Sequence, residues 1–171
     1  VGDPLEAESN LGAIVSEGHQ KKVMSYIDLA KEEGGRILAG GKIPVLKGRC
    51  ADGYFIEPTV IEGLTHDCRT NQEEIFGPVV TIMPFETEDE VLEYANSTKY
   101  GLSSTVWTQD LTKAHRVAAK LDAGIVWINC WLLRDLRTPF GGVKNSGVGR
   151  EGGMEALKFF TEEKNVCINL K

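Results

Sequence analysis

From Ser16 to about Gly34, apolar side chains recur at Val23, Tyr26, Ile27 and Ala30. That i, i+3, i+4, i+7 spacing makes one face of an amphipathic helix, with Gly34-Gly35 as its stop. Arg36 to Ala39 is a short strand candidate, and Ile43 to Gly53, mixing Pro, Gly and charge, reads as a surface loop. Tyr54 to Ile61 is rich in β-formers but interrupted by Pro58, which predicts an edge or bent strand. Val79 to Phe85 is almost wholly apolar, the pattern of a strand buried on both faces of a parallel sheet.

Thr87 followed by Glu90 is a capping box, and Glu88, Asp89 and Glu90 set negative charge at the positive end of a helix running to about Asn96. Ser103 to Trp107 is the next strand. Asp110 caps a helix with Ala114, Val117, Ala118 and Leu121 on one face, ended by Gly124. Ile125 to Ile128 is a third buried strand. This alternation predicts an α/β fold: a parallel sheet with flanking helices. Asn129 to Arg150 is a long loop of the kind that carries function. Glu151 to Phe160 is a short helix, and Asn165 to Leu170 alternates apolar and polar residues as a strand suited to joining another sheet edge, in a partner subunit.

The 171 residues carry 19 Lys plus Arg against 25 Asp plus Glu, a net charge of −6. This acidic balance without a basic cluster argues against nucleic acid or an anionic membrane as partner, and no apolar run is long enough to span a bilayer. The opening Val1-Gly2-Asp3-Pro4 has no initiating Met and no signal-peptide pattern, as expected of a cut inside a longer chain. Cys50, Cys68, Cys130 and Cys167 are irregularly spaced, with no metal-ligand pattern. They read as reduced thiols of a cytoplasmic protein. His66 and Cys68 are close in sequence, but nucleophile–base pairs are assembled in space, seldom by adjacency.

Gly147, Gly149 and Gly152 satisfy the G-x-G-x-x-G pattern, yet no strand immediately precedes them and the chain ends 19 residues later. A dinucleotide fingerprint needs a strand on both sides, so these glycines mark tight backbone turns instead. The adjacent carboxylates Glu73-Glu74 are either a solvated pair or acceptors for ligand hydroxyls. Arg134 and Arg137 are either solvated charges or a fork that grips a carboxylate. Trp131 and Phe140 fit core and pocket wall equally well.

Together, Glu73-Glu74-Ile75-Phe76-Gly77-Pro78, Tyr100-Gly101-Leu102, Asn129-Cys130 and the run Pro139-Phe140-Gly141-Gly142-Val143-Lys144-Asn145-Ser146-Gly147-Val148-Gly149-Arg150-Glu151 resemble the aldehyde dehydrogenase superfamily. Asn129 to Arg137 is most similar to the 2-aminomuconate and 2-hydroxymuconate semialdehyde dehydrogenases. The resemblance implies the catalytic-domain type of α/β fold, with residues 1–150 as the C-terminal portion of that domain. Residues 151–171 would be a helix and strand of the cofactor and oligomerisation region.

The implied reaction is NAD(P)-dependent oxidation of an aldehyde to its acid through a cysteine thiolate. By resemblance, Glu74 would hold the nicotinamide ribose hydroxyls, with Phe76 and Leu102 beside the ribose and nicotinamide ring. Phe140 would line the aldehyde tunnel, and Arg134 would pair with a substrate carboxylate. The terminal strand would join a homodimer or homotetramer. No cysteine lies in the family's F-x-N-x-G-Q-x-C context, and its general-base glutamate and N-terminal cofactor domain have no match here. The expectation is a segment with no catalytic residue of its own, inactive alone. The alternative is a stand-alone interaction module that pairs with a full-length relative.

Overall fold

The computed structural model describes residues 1–170, which divide into two compact units, Val1–Phe85 and Glu86 onward. In the first unit, α1 (Glu17–Glu32) begins where Ser16 accepts a hydrogen bond from the His19 amide. Its buried residues are Val23, Ile27 and Ala30, three of the four positions that the sequence spacing marks. Tyr26, the fourth, is half-buried because its hydroxyl reaches out to Glu73. Three strands follow: β1 (Arg36–Ala39), β2 (Thr59–Glu62) and β3 (Val79–Ile82), in the order β1-β2-β3. β1 and β2 run antiparallel with an irregularity between Ile37 and Ala39, and β2 and β3 run parallel.

The core joins Val23, Ile27 and Ile56 in one cluster and Ala30, Ile61 and Leu64 in another, with Ile37 and Val79 packed on both. Burying an isoleucine such as Ile27 or Ile61 contributes about 1.5–3 kcal/mol. Two expectations are corrected here. β2 is the central strand of its sheet, not an edge, because it starts only after Pro58 and so loses no ladder hydrogen bond to the ring. β3 is covered on one face only: its residues alternate, with Val80 52% and Ile82 46% exposed.

A four-residue helix, α2 (Arg69–Gln72), is held by the end of α1. The Glu33 carboxylate accepts from the Arg69 amide at 2.9 Å, and from the Thr70 amide and hydroxyl at 3.1 and 2.6 Å. Burial pushes this carboxyl up, but the Thr70 and Arg69 donors outweigh it and hold Glu33 below its ordinary value.

The second unit contains α3 (Glu88–Asn96), β4 (Tyr100–Gly101), β5 (Ser103–Val106), α4 (Leu111–Lys120), β6 (Ile125–Ile128), β7 (Val143–Lys144) and α5 (Gly153–Phe160). Both halves of the capping box form: the Thr87 side chain accepts from the Glu90 amide while the Glu90 side chain reaches the Thr87 amide. Asp110 caps α4, which ends at Lys120, short of Gly124. β5 and β6 pair in parallel, as expected, and β4 pairs antiparallel with β7 inside the long loop.

The parallel pairs thus occur in separate small sheets. Gly124 lies so close to the loop that a Cβ there would meet the Gly141 carbonyl oxygen at 1.7 Å. Within the described residues, 161–170 form no strand and are exposed. An extended stretch becomes a strand only with a neighbour for its backbone groups, so the expected strand is not formed within this chain.

Candidate cofactor and substrate sites

In the first unit, the Glu73–Pro78 turn lies against α1, in contact with His19, Lys22, Val23 and Tyr26. Glu73 is structural: its carboxylate accepts from the Tyr26 hydroxyl at 2.6 Å and from Arg69 at 2.9 and 3.1 Å. The neighbouring Glu74 side chain is exposed, and its backbone carbonyl accepts from Lys22 Nζ at 2.9 Å. The structure therefore gives the two adjacent carboxylates different surroundings. Phe76 has φ +58 and is 73% exposed. A large side chain in the left-handed region is uncommon, and such strain clusters at functional sites.

In the second unit, Leu102 bridges β4 and β5 and is 46% exposed. Phe140 and Glu151 exchange backbone hydrogen bonds at 2.8 and 2.7 Å, closing the glycine-rich loop as a narrow ribbon. A cleft of about 370 Å³ opens beside this ribbon, lined among others by Leu102, Phe140, Glu151 and Phe159. Gly147, Gly149 and Gly152 all have positive φ, so they serve the turns of this ribbon.

The segment from Trp131 to Arg137 hangs on β6, whose Trp127 indole N–H donates to the Leu133 carbonyl at 2.9 Å. Within it, the two arginines part company. Arg137 is 89% exposed at its side chain and pairs with Asp135 two residues away, which holds the Asp135 carboxyl below its ordinary value. Arg134 is only 38% exposed, with Cζ 3.9 Å from the Phe140 ring centroid, and its guanidinium ion-pairs with Glu151. The guanidinium is thus held in one position by an aromatic ring on one side and a carboxylate on the other. Phe140 is therefore a wall residue rather than a core one.

The sequence reading missed Glu151 as Arg134's partner, because the two lie 17 positions apart in a segment without periodicity. It also missed His19 and Lys22, although their three-residue separation on one helix was visible. Cys68 sits at the start of α2, where burial pushes its thiol up, the opposite of an activated nucleophile. Among the described residues, no group of three or more His, Cys, Asp or Glu is placed to hold a metal ion. No helix among them is long and apolar enough to cross a membrane.

Residues 1–166 match the model of the aldehyde dehydrogenase family. The chain is 49% identical to a 2-aminomuconic 6-semialdehyde dehydrogenase of Pseudomonas sp. over 98% of its length, covering 34% of that relative. It is 48% identical to the 2-hydroxymuconic semialdehyde dehydrogenase of Pseudomonas sp. strain CF600, over 99% of the chain and 35% of the relative. Among solved structures, it superposes on the NAD⁺ complex of an aldehyde dehydrogenase from Bacillus cereus with a TM-score of 0.88 at 46% identity, covering 97% of this chain and 33% of that one. The chain belongs to the aldehyde dehydrogenase family and spans about a third of the length of these relatives.

Proposed function

We propose that this chain is the substrate-recognising and ribose-holding segment of an NAD(P)-dependent dehydrogenase that oxidises a carboxylate-bearing muconic semialdehyde to its acid. The observation that carries this reading is Arg134, stacked on Phe140 and paired with Glu151. The muconic semialdehydes named for its relatives would bring a carboxylate to such a fork. Phe140 supplies the wall along which the aldehyde chain lies, and Leu102 lines the same cleft.

The cofactor fits the residues present. Glu74 offers two acceptor oxygens to a pair of ribose hydroxyls, and the exposed Phe76 ring offers an apolar flank. When bound there, NAD(P) would supply the hydride acceptor for oxidation of the aldehyde. Glu74 then orients the cofactor, Arg134 orients the substrate, and the Phe140 wall excludes water from the reacting end.

We assign no nucleophile to Cys50, Cys68, Cys130 or Cys167, and the 171-residue chain alone is inactive in this reading. Residues 1–150 belong to the catalytic domain, and 151–171 to the region that joins subunits in a homodimer or homotetramer. The exposed Val166 and Ile168 near the C-terminus support that association. The four free thiols support a cytoplasmic setting.

The test is the wild-type full-length enzyme against 2-hydroxymuconic semialdehyde and the same aldehyde with its carboxylate methylated. Esterification should raise KM at least about tenfold, because a charge-assisted pair is lost. Equal KM values would overturn the reading.

A further inference from the structure

We propose that the His19–Lys22–Tyr26 edge of α1 is a clamp that sets the conformation of the Glu74–Phe76 turn, with His19 and Lys22 as its positioning residues. Three side chains one turn or so apart on the helix reach three successive points of that turn. His19 Nε2 donates to the Phe76 carbonyl at 2.6 Å, and its ring meets the Phe76 ring edge-on at 6.1 Å between centroids. Lys22 Nζ donates to the Glu74 carbonyl at 2.9 Å. The Tyr26 hydroxyl donates to the Glu73 carboxylate at 2.6 Å. Between these contacts, Gly77 approaches Val23 so closely that a Cβ would lie 2.6 Å from Val23 Cγ2.

The clamp has a task, because Phe76 holds φ +58. A non-glycine residue leaves that region unless its surroundings over-determine it. Here the carbonyls of residues 74 and 76 are both tied to α1, which fixes the 74–75 and 76–77 peptide planes and so brackets the Ile75–Phe76 peptide between them. The Ser16 cap fixes the first turn of α1 in its own right, so His19 is aimed from a rigid base. The Glu74 carboxylate and most of the Phe76 ring are thereby left exposed in one preset arrangement. If the turn sampled other conformers, the apparent dissociation constant of whatever Glu74 and Phe76 bind would rise as the inverse of the competent fraction that remains.

The first measurement is made on this chain, by ¹⁵N relaxation of the 74–77 backbone. In wild type, its order parameters should lie near the rigid value of about 0.85, and in His19→Leu and Lys22→Met they should fall below about 0.6. His19→Gln, which keeps an N–H donor, should restore them. Lys21→Met, at a neighbouring position whose ammonium pairs with Glu17, should leave them unchanged. Lys22 is exposed, so Lys22→Met carries the test should His19→Leu fail to fold. Unchanged order parameters in Lys22→Met and His19→Leu would overturn the clamp.

The second measurement, in the full-length enzyme, rests on the cofactor reading of the turn. The same two variants should raise the dissociation constant of the wild type's nicotinamide dinucleotide about tenfold, and the KM for aldehyde far less. Loss of order at 74–77 with an unchanged dissociation constant would uphold the clamp and overturn the cofactor role of Glu74 and Phe76.

Discussion

The guanidinium of Arg134 lies over the ring of Phe140, 3.9 Å from Cζ to the ring centroid. Phe140 in turn is bonded through its backbone to Glu151, the residue whose carboxylate pairs with Arg134. Ring, cation and anion thus form one closed unit on the glycine-rich ribbon. Replacing Phe140 by Leu keeps an apolar wall but removes the π face, worth about 0.5–1 kcal/mol at a half-exposed site. The expected result is a two- to fivefold rise in KM for a carboxylate-bearing semialdehyde, by about that energy. Steady-state kinetics of the full-length enzyme check it.

Gly124 positions that ribbon. Since a Cβ there would lie 1.7 Å from the Gly141 carbonyl oxygen, Gly124→Ala must push β6 and the loop apart. We expect a loss of about 3 kcal/mol in stability, at the upper end for overpacking. Denaturant unfolding followed by Trp127 fluorescence measures it.

Acid should weaken the first unit through Glu33. Its carboxyl is held below the ordinary value by the Thr70 and Arg69 donors, against the opposing push of burial. A carboxyl with a depressed folded value contributes stability that is present above its unfolded value, about 4.3, and is lost as pH falls through the folded one. Glu33→Gln should lower stability at pH 7 by about 2 kcal/mol, the range for hydrogen bonds to a charged group. It should also flatten the acid limb of the stability–pH curve. A parallel downward shift at every pH would contradict this assignment.

Thr87 and Glu90 cap α3 reciprocally. Thr87→Ala should cost about 1 kcal/mol, and Thr87→Ser should cost much less, because the serine hydroxyl accepts the same Glu90 amide. Thermal unfolding of the two variants compares them directly.

The features legible in the sequence are those written in neighbouring residues. The Thr87–Glu90 box, the Asp110 cap and the buried stripe Val23, Ile27, Ala30 are local patterns, and the fold keeps them. The position of β2 at the centre of its sheet was not legible. Pro58 looks the same whether it interrupts an edge strand or stands just before a central one. The one-sided burial of β3 was likewise hidden, since Val79 to Ile82 is apolar at three of four positions whichever face is covered.

At the candidate sites, sequence motifs pointed to Glu74, Phe76, Leu102, Arg134 and Phe140. They could not show that Glu73 is spent on Tyr26 and Arg69, or that Glu151 answers Arg134. The Tyr26–Glu73 and Arg134–Glu151 pairings join residues 47 and 17 positions apart, through tertiary contacts that no period encodes. The i,i+4 pair Arg69–Glu73 rests on a four-residue helix too short to show a pattern.

The decisive measurement is kcat/KM of the full-length enzyme and its Arg134→Ala variant for two aldehydes, 2-hydroxymuconic semialdehyde and an aliphatic aldehyde without a carboxylate. Loss of a charge-assisted pair should cut kcat/KM for the semialdehyde by at least about tenfold while changing the aliphatic aldehyde less than about twofold. An equal fall for both aldehydes would contradict the role of Arg134 as the carboxylate grip.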